Sequence, residues 1–194
     1  TLIPEKFQKP TKELPGQHLS VGNNPAAWVD TTVEYCHYRT NNGGVTWNYD
    51  TKYPSTYDSI GNRTSYAEYD WDGSSWVGDW INLAAYDGAG NWVEYIRQDW
   101  DTSSGNWVNT FKRTSAYDTS NNRVEWEHEN WDGAAWVSER RELYAYDTSG
   151  YFIERVFQDW DTLTSSWVNW GRATHTNNLD GLVIETLGET WNSS

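Results

Sequence analysis

Residues 57–87 read "YDSIGNRTSYAEYDWDGSSWVGDWINLAAYD". The stretch opens and closes on the same Tyr-Asp pair and carries a Trp-Asp turn at its centre, within "YDWDGSSWVGDW" at residues 69–80. Taken alone, this Trp- and Asp-dense core would suit a calcium loop, a sugar platform or an aromatic-clamped turn. Recurrence separates these readings. The Tyr-Asp turn starts at Tyr57, returns at Tyr86, Tyr117 and Tyr146, and survives in decayed form as "NNLDG" from Asn177. Its acidic position steps through Asp58, Asp87, Asp118, Asp147 and then Asn178, with spacings of 29, 31, 29 and 31 residues. Trp71, Trp100, Trp131, Trp160 and Trp191 keep the same spacings. The alternation comes from the Trp-Asp loops. The second Trp follows five residues on at Trp76 and Trp136, and seven on at Trp107 and Trp167. Every landmark therefore recurs at 60 residues, the signature of a repeat architecture.

Between landmarks run segments of about ten residues, rich in Val, Ile, Thr, Tyr, Phe and Trp, such as "NWVEYIRQDW". Those residues favour pleated strands, and the Gly, Asn, Asp and Ser that bound them favour turns. No segment keeps a helical apolar period. In "YDSIGNR" the Asp starts the turn and Gly61 stands where a left-handed residue is wanted. Asn121 replaces Gly in one copy, and Asn is the best substitute for Gly in that conformation. The expected fold is all-β: an antiparallel up-and-down meander of repeated β-hairpins with a 60-residue super-repeat. Tyr-Asp turns lie along one side and Trp-clamped turns along the other. Nine strands are expected from Asn62 onward. Before them, Trp28–Gly44 aligns loosely with "WVNTFKRTSAYDTSNN" and adds one strand; residues 45–58 add one or two more.

Only 37% of the 194 residues are hydrophobic, while 16% are aromatic, so burial must come from Trp and Tyr rather than an aliphatic core. One-sided amphipathicity is weak. Trp92, Glu94, Ile96, Gln98 and Trp100 share one face of their segment, and Val93, Tyr95, Arg97 and Asp99 the other. A small closed barrel or a sandwich would alternate cleanly. The pattern instead points to a long, twisted or spirally wound sheet with aromatic and charged ladders on both faces and open edges. Residues 1–27 form a Pro-rich arm, with Pro4, Pro10, Pro15 and Pro25 excluding a central strand. The arm is expected to dock on its own sheet or on a neighbour, beside a repeat domain over residues 28–194.

The Tyr-Asp-x-x-Gly units at Tyr57–Gly61, Tyr86–Gly90 and Tyr146–Gly150 resemble the YD (Rhs-type) repeats of bacterial surface and toxin proteins. The fuller "YDxxGN…WDGSSWV" pattern is similar to Trp-rich repeats in secreted proteins of Bacteroidetes-type bacteria. The resemblance spans about Trp28 to Trp191. It implies an extracellular, spiralling β-sheet scaffold without chemistry of its own. The Trp-clamped turn is not a general feature of YD repeats, and no Rhs self-cleavage signature is present.

The net charge of −14 disfavours nucleic acid and anionic membrane surfaces as partners. No apolar run is long enough to span a membrane. The single cysteine, Cys36, excludes an intrachain disulfide and a Cys-based metal site. With Thr1 at its start, the sequence reads as a processed, exported product of the cell surface. The triplets holding Asp70 and Asp72, Asp99 and Asp101, and Asp159 and Asp161 place oxygen ligands at alternate positions, where a calcium ion would find them. Asp is equally a turn former, and the expectation is no metal and no cofactor. Trp71, Trp76, Trp100, Trp107, Trp131, Trp136, Trp160 and Trp167 would serve as a glycan or self-association surface, or as turn clamps replacing the missing core. No catalytic constellation stands out, because the repeat makes its carboxylates equivalent. The expected function is non-enzymatic: an extracellular structural or adhesive protein, self-assembling through open sheet edges and the N-terminal arm. The alternative is a carbohydrate-binding module using the Trp rows.

Overall fold

The computed structural model describes residues 31–40 and 48–191; the Pro-rich arm over residues 1–27 lies outside them. Eleven strands form one sheet in sequence order, each antiparallel to the next. They are β1 (Thr31–Arg39), β2 (Asn48–Tyr57), β3 (Arg63–Trp71), β4 (Trp76–Tyr86), β5 (Trp92–Asp101), β6 (Asn106–Tyr117), β7 (Arg123–Trp131), β8 (Trp136–Tyr146), β9 (Phe152–Asp161), β10 (Ser166–Asn177) and β11 (Val183–Thr190). The nine strands expected from Asn62 onward are β3 to β11. The sheet is open, with β1 and β11 at its two edges.

Both turn types follow from their residues. In the Tyr-Asp turn the Asp58 amide donates to the Asn62 carbonyl at 2.9 Å, and Gly61 closes the loop with φ of 92°. Asn121 takes φ of 64° at the matching position, as the sequence pattern implies. Asp58 Oδ1 also accepts the Ile60 and Asn62 amides at 3.0 and 2.8 Å, a side-chain turn that needs no partner from outside the loop.

The tyrosine of this motif has a role that spacing alone does not reveal. The Tyr86 hydroxyl donates to the Arg63 carbonyl, Tyr117 to Trp92 and Tyr146 to Arg123, at 3.0–3.1 Å. Each ties the end of one strand to the start of the strand before it. Asn177 Nδ2 does the same to Phe152 in the decayed copy, at 2.9 Å.

A β-bulge follows each Tyr-Asp turn, skipping Thr64, Val93, Val124, Ile153 and Ile184 in the odd-numbered strands from β3, and another interrupts each even-numbered strand. Asp50, Asp79, Thr110, Glu139 and Trp170 are skipped by the pairing of their neighbours, and they keep the 29, 31, 29, 31 spacing. A bulge bends its strand and adds right-handed twist. The pairing also corrects the alignment of the first strand. β1 pairs Tyr35 with Tyr53, and β5 pairs Tyr95 with Arg113, each residue 60 positions on. β1 is thus the counterpart of β5 and not of β6; the shared Trp-Val and Asn-Asn letters misled the alignment. Residues 48–57 form a single strand.

Among the described residues the sheet has no second layer. Among the described residues, Ala67 is the one apolar side chain classed as buried, joined by the polar Thr51, Ser55 and Ser115. Cohesion comes from the ladder and from half-buried rings. Trp71, Tyr69 and Ala67 alternate onto the first face; Asp70, Glu68 and Tyr66 alternate onto the second.

Candidate functional site

The register gathers all eight Trp candidates on the first face, along the side of the Trp-Asp turns. Trp71 pairs directly with Trp76, Trp100 with Trp107, Trp131 with Trp136, and Trp160 with Trp167. In every pair the rings meet edge to face, with centroids 5.0–5.2 Å apart and planes at 66–73°. An aromatic pair of this kind adds about 0.5–1.5 kcal/mol beyond burial. Tyr49 extends the row, 5.3 Å from Trp71 and 5.2 Å from Trp76. Trp107 lies over Gly78 and meets Tyr69 edge-on at 5.8 Å. Lys52, Lys112 and Arg141 cover Trp76, Trp136 and Trp167. All eight Trp remain half-buried.

The three acidic triplets divide their carboxylates. Asp70 lies on its strand and accepts from Thr51 Oγ1 at 3.3 Å. Asp99 accepts from Arg97 at 2.8 Å, and Asp159 stands opposite Arg140. Asp72, Asp101 and Asp161 open the turns instead. Asp72 Oδ1 accepts the Ser74 and Ser75 amides, both at 2.7 Å. The Ser75 and then the Ser74 amide hold this carboxyl down to about 2. The Ser103 hydroxyl, followed by Ser104, holds Asp101 at about 2 as well. Among the described residues, no group of three or more His, Cys, Asp or Glu stands placed to share a metal ion. Burial, with Glu34 beside it, pushes the Cys36 thiol up to about 11, far from the thiolate range in which cysteine reacts.

The second face carries one of the aromatic and charged ladders expected on both faces. Rings and guanidinium groups alternate across the strands. Tyr35, His37, Tyr53, Tyr66 and Trp80 touch in succession over β1 to β4, with centroids 5.0–5.9 Å apart. Arg97 then covers Trp80 at 4.4 Å, Arg113 covers Phe111 at 4.6 Å, and Arg155 covers Phe157 at 4.6 Å. Arg113 Nε donates to His128 Nδ1 at 3.3 Å. Burial, foremost among several influences, holds the His128 imidazole below its ordinary value, which suits a neutral ring accepting from a guanidinium. Over β1–β4 the face opens into a shallow groove of about 570 Å³ whose lining includes Tyr35, Tyr53, Tyr57, Tyr66, His37 and Trp80. A smaller groove of about 250 Å³ continues it toward β5, with Tyr66 as the shared wall.

No protein-family model matches the chain, and no curated protein does. Solved structures show distant likenesses. A DUF3836 family protein from Bacteroides vulgatus aligns at 16% identity over 57% of this chain and 98% of its own, with a TM-score of 0.41. A protein of unknown function from Bacteroides fragilis aligns at 10% identity over 74% of this chain and 92% of its own, at 0.42. A DUF3836 family protein from Parabacteroides distasonis aligns at 16% identity over 47% and 86%, at 0.38. Likenesses this distant carry no argument about what the present chain does.

Proposed function

We propose that this protein is a non-enzymatic β-repeat scaffold of the bacterial cell surface or extracellular matrix, structural and adhesive in role, whose copies join edge to edge into a fibre or layer. The observation that carries this reading is the open sheet, with almost nothing buried and, among the described residues, a strand without an outer neighbour at each edge. The edge strand β11 is exposed throughout, with Val183, Ile184 and Leu187 at 52%, 65% and 58%. It carries no Lys or Pro to blunt it, and its one bulged residue, Ile184, lies at its start. Pairing of β11 on one copy with β1 on the next uses two different surfaces, so it propagates rather than closing into a dimer. The charge of −14 opposes association, so salt should favour assembly by screening it.

Sedimentation velocity over a concentration series at low and high salt tests this reading. Larger species growing with both variables are expected, and Ile184→Pro in β11 should suppress them by interrupting the edge. A single sedimenting species at every concentration and salt would overturn it. The Trp rows support a second reading, as a glycan-binding face, because all eight rings share one face and keep part of their surface free. Glycan-array binding that is lost in Trp100→Ala and Trp107→Ala would favour it; absence of binding to any glycan would remove it.

A further inference from the structure

The 60-residue repeat makes most positions equivalent, so the departures from it mark what is singular. On the second face, Tyr35 and Tyr66 keep aromatic counterparts one super-repeat later, in Tyr95 and Trp126. Three neighbours do not. His37, Tyr53 and Trp80 correspond to Arg97, Arg113 and Arg140, and Glu68 corresponds to His128. The pairing registers agree residue for residue: Tyr53 faces Tyr35 as Arg113 faces Tyr95, and Trp80 faces Glu68 as Arg140 faces His128. Over β5–β8, Arg113 lies on the Phe111 and Trp126 rings, and Arg97 reaches back onto Trp80 at the groove's end. Over β1–β4 rings replace them, and a groove of about 570 Å³ is present. That volume lies within the span of about 300–1,000 Å³ typical of small-ligand sites.

We propose that this groove binds a neutral oligosaccharide laid across strands β1 to β5, on the face opposite the Trp rows. The rings supply the stacking surface. Tyr53 and Tyr66 lie nearly parallel, at 14° and 5.9 Å, and Tyr35 is 56% exposed. Flat aromatic faces suit the C–H face of a pyranose, while phenol and carboxylate groups at the ring edges meet its hydroxyls. Glu68 is placed for this, since it already accepts from the Tyr53 hydroxyl at 3.3 Å. Charge argues for a neutral ligand. Glu68 lies among the rings, while Arg63 covers Tyr66 at 4.7 Å and Arg97 covers Trp80 at 4.4 Å. Neither a phosphate-bearing chain nor a cation meets one sign of charge there. A peptide strand is disfavoured as well. A segment lying across this face would meet backbone groups already committed to the ladder, whereas strand addition belongs to the free edge of β1, beside the groove.

The test is independent of self-assembly. The full chain would be screened on an array of neutral, anionic and cationic oligosaccharides, and hits titrated by calorimetry. Binding to neutral members is expected, weakened about tenfold or more by His37→Arg or Tyr53→Arg. These variants install residues that the same fold already carries at the matching register, so they should fold, and far-ultraviolet circular dichroism would verify it. Absence of binding to every neutral glycan would overturn the proposal. So would binding confined to charged glycans, binding undiminished in both folded variants, or binding lost in Trp100→Ala but retained in Tyr53→Arg.

Discussion

Gly61 holds φ of 92°, and a Cβ built on it would touch nothing within 4 Å. Substitution there tests the backbone alone. Gly61→Ala should cost about 1–2 kcal/mol, the penalty of placing an L side chain in the left-handed region. Ser165 offers the reverse experiment. It takes φ of 52° where Gly105, one super-repeat earlier, takes 66°, so Ser165→Gly should gain up to about 1 kcal/mol. Urea unfolding midpoints would measure both, and an unchanged midpoint for Gly61→Ala would contradict the turn assignment. Acid should act at the same turns. Asp72 and Asp101 are held at about 2, below the ordinary 3.8 of the free side chain. The folded chain therefore binds fewer protons than the unfolded chain in this window. Stability present above about pH 4 is lost as the pH falls toward 2. Urea midpoints at pH 5 and pH 2.5 would show that fall, and Asp72→Asn should lessen it. These turn residues were legible in the sequence because their geometry is local: an Asp accepting its own downstream amides needs no distant partner.

At the scale of the hairpin, the Trp-Asp turn depends on what lies beneath its rings. A Cβ at Gly78 would stand 2.6 Å from the Trp107 ring and 3.2 Å from Trp100. Gly78→Ser should therefore displace that clamp and cost about 1–3 kcal/mol as an overpacking change. The signal of the coupled Trp100 and Trp107 rings in circular dichroism should weaken with it. An unaltered spectrum and midpoint would show that the rings do not rest on Gly78. Ser138 occupies the same position 60 residues later and donates to Glu127 at 2.7 Å, so a small polar side chain is accepted where its surroundings differ. The strands and the Trp pairs were readable from spacing alone. The bulges at Asp79 and Glu139 were not, because a skipped residue is defined by pairing across two strands. The hydroxyl ties from Tyr86, Tyr117 and Tyr146 were missed for the same reason, although their unvarying position before Asp signalled a role. The second-face groove escaped notice because it arises from differences between repeats, whereas the sequence reading followed their identities.

Across the described residues, eleven strands hold together with almost no buried apolar side chain. Two half-wet aromatic faces and the open edges at β1 and β11 are the features on which the proposed edge-to-edge assembly rests. The weak one-sided amphipathicity of "NWVEYIRQDW" already excluded a small closed barrel, and the open sheet agrees with it. Edge-to-edge growth would extend the strand stack by one copy at a time. With neighbouring strands about 4.8 Å apart, eleven strands amount to roughly 50 Å along the growth direction. Negative-stain electron microscopy of the purified protein at high salt measures this directly. Threads or ribbons with an axial repeat of at least roughly 50 Å are the expected result; a field of separate single-copy particles at high protein concentration would contradict edge-to-edge assembly.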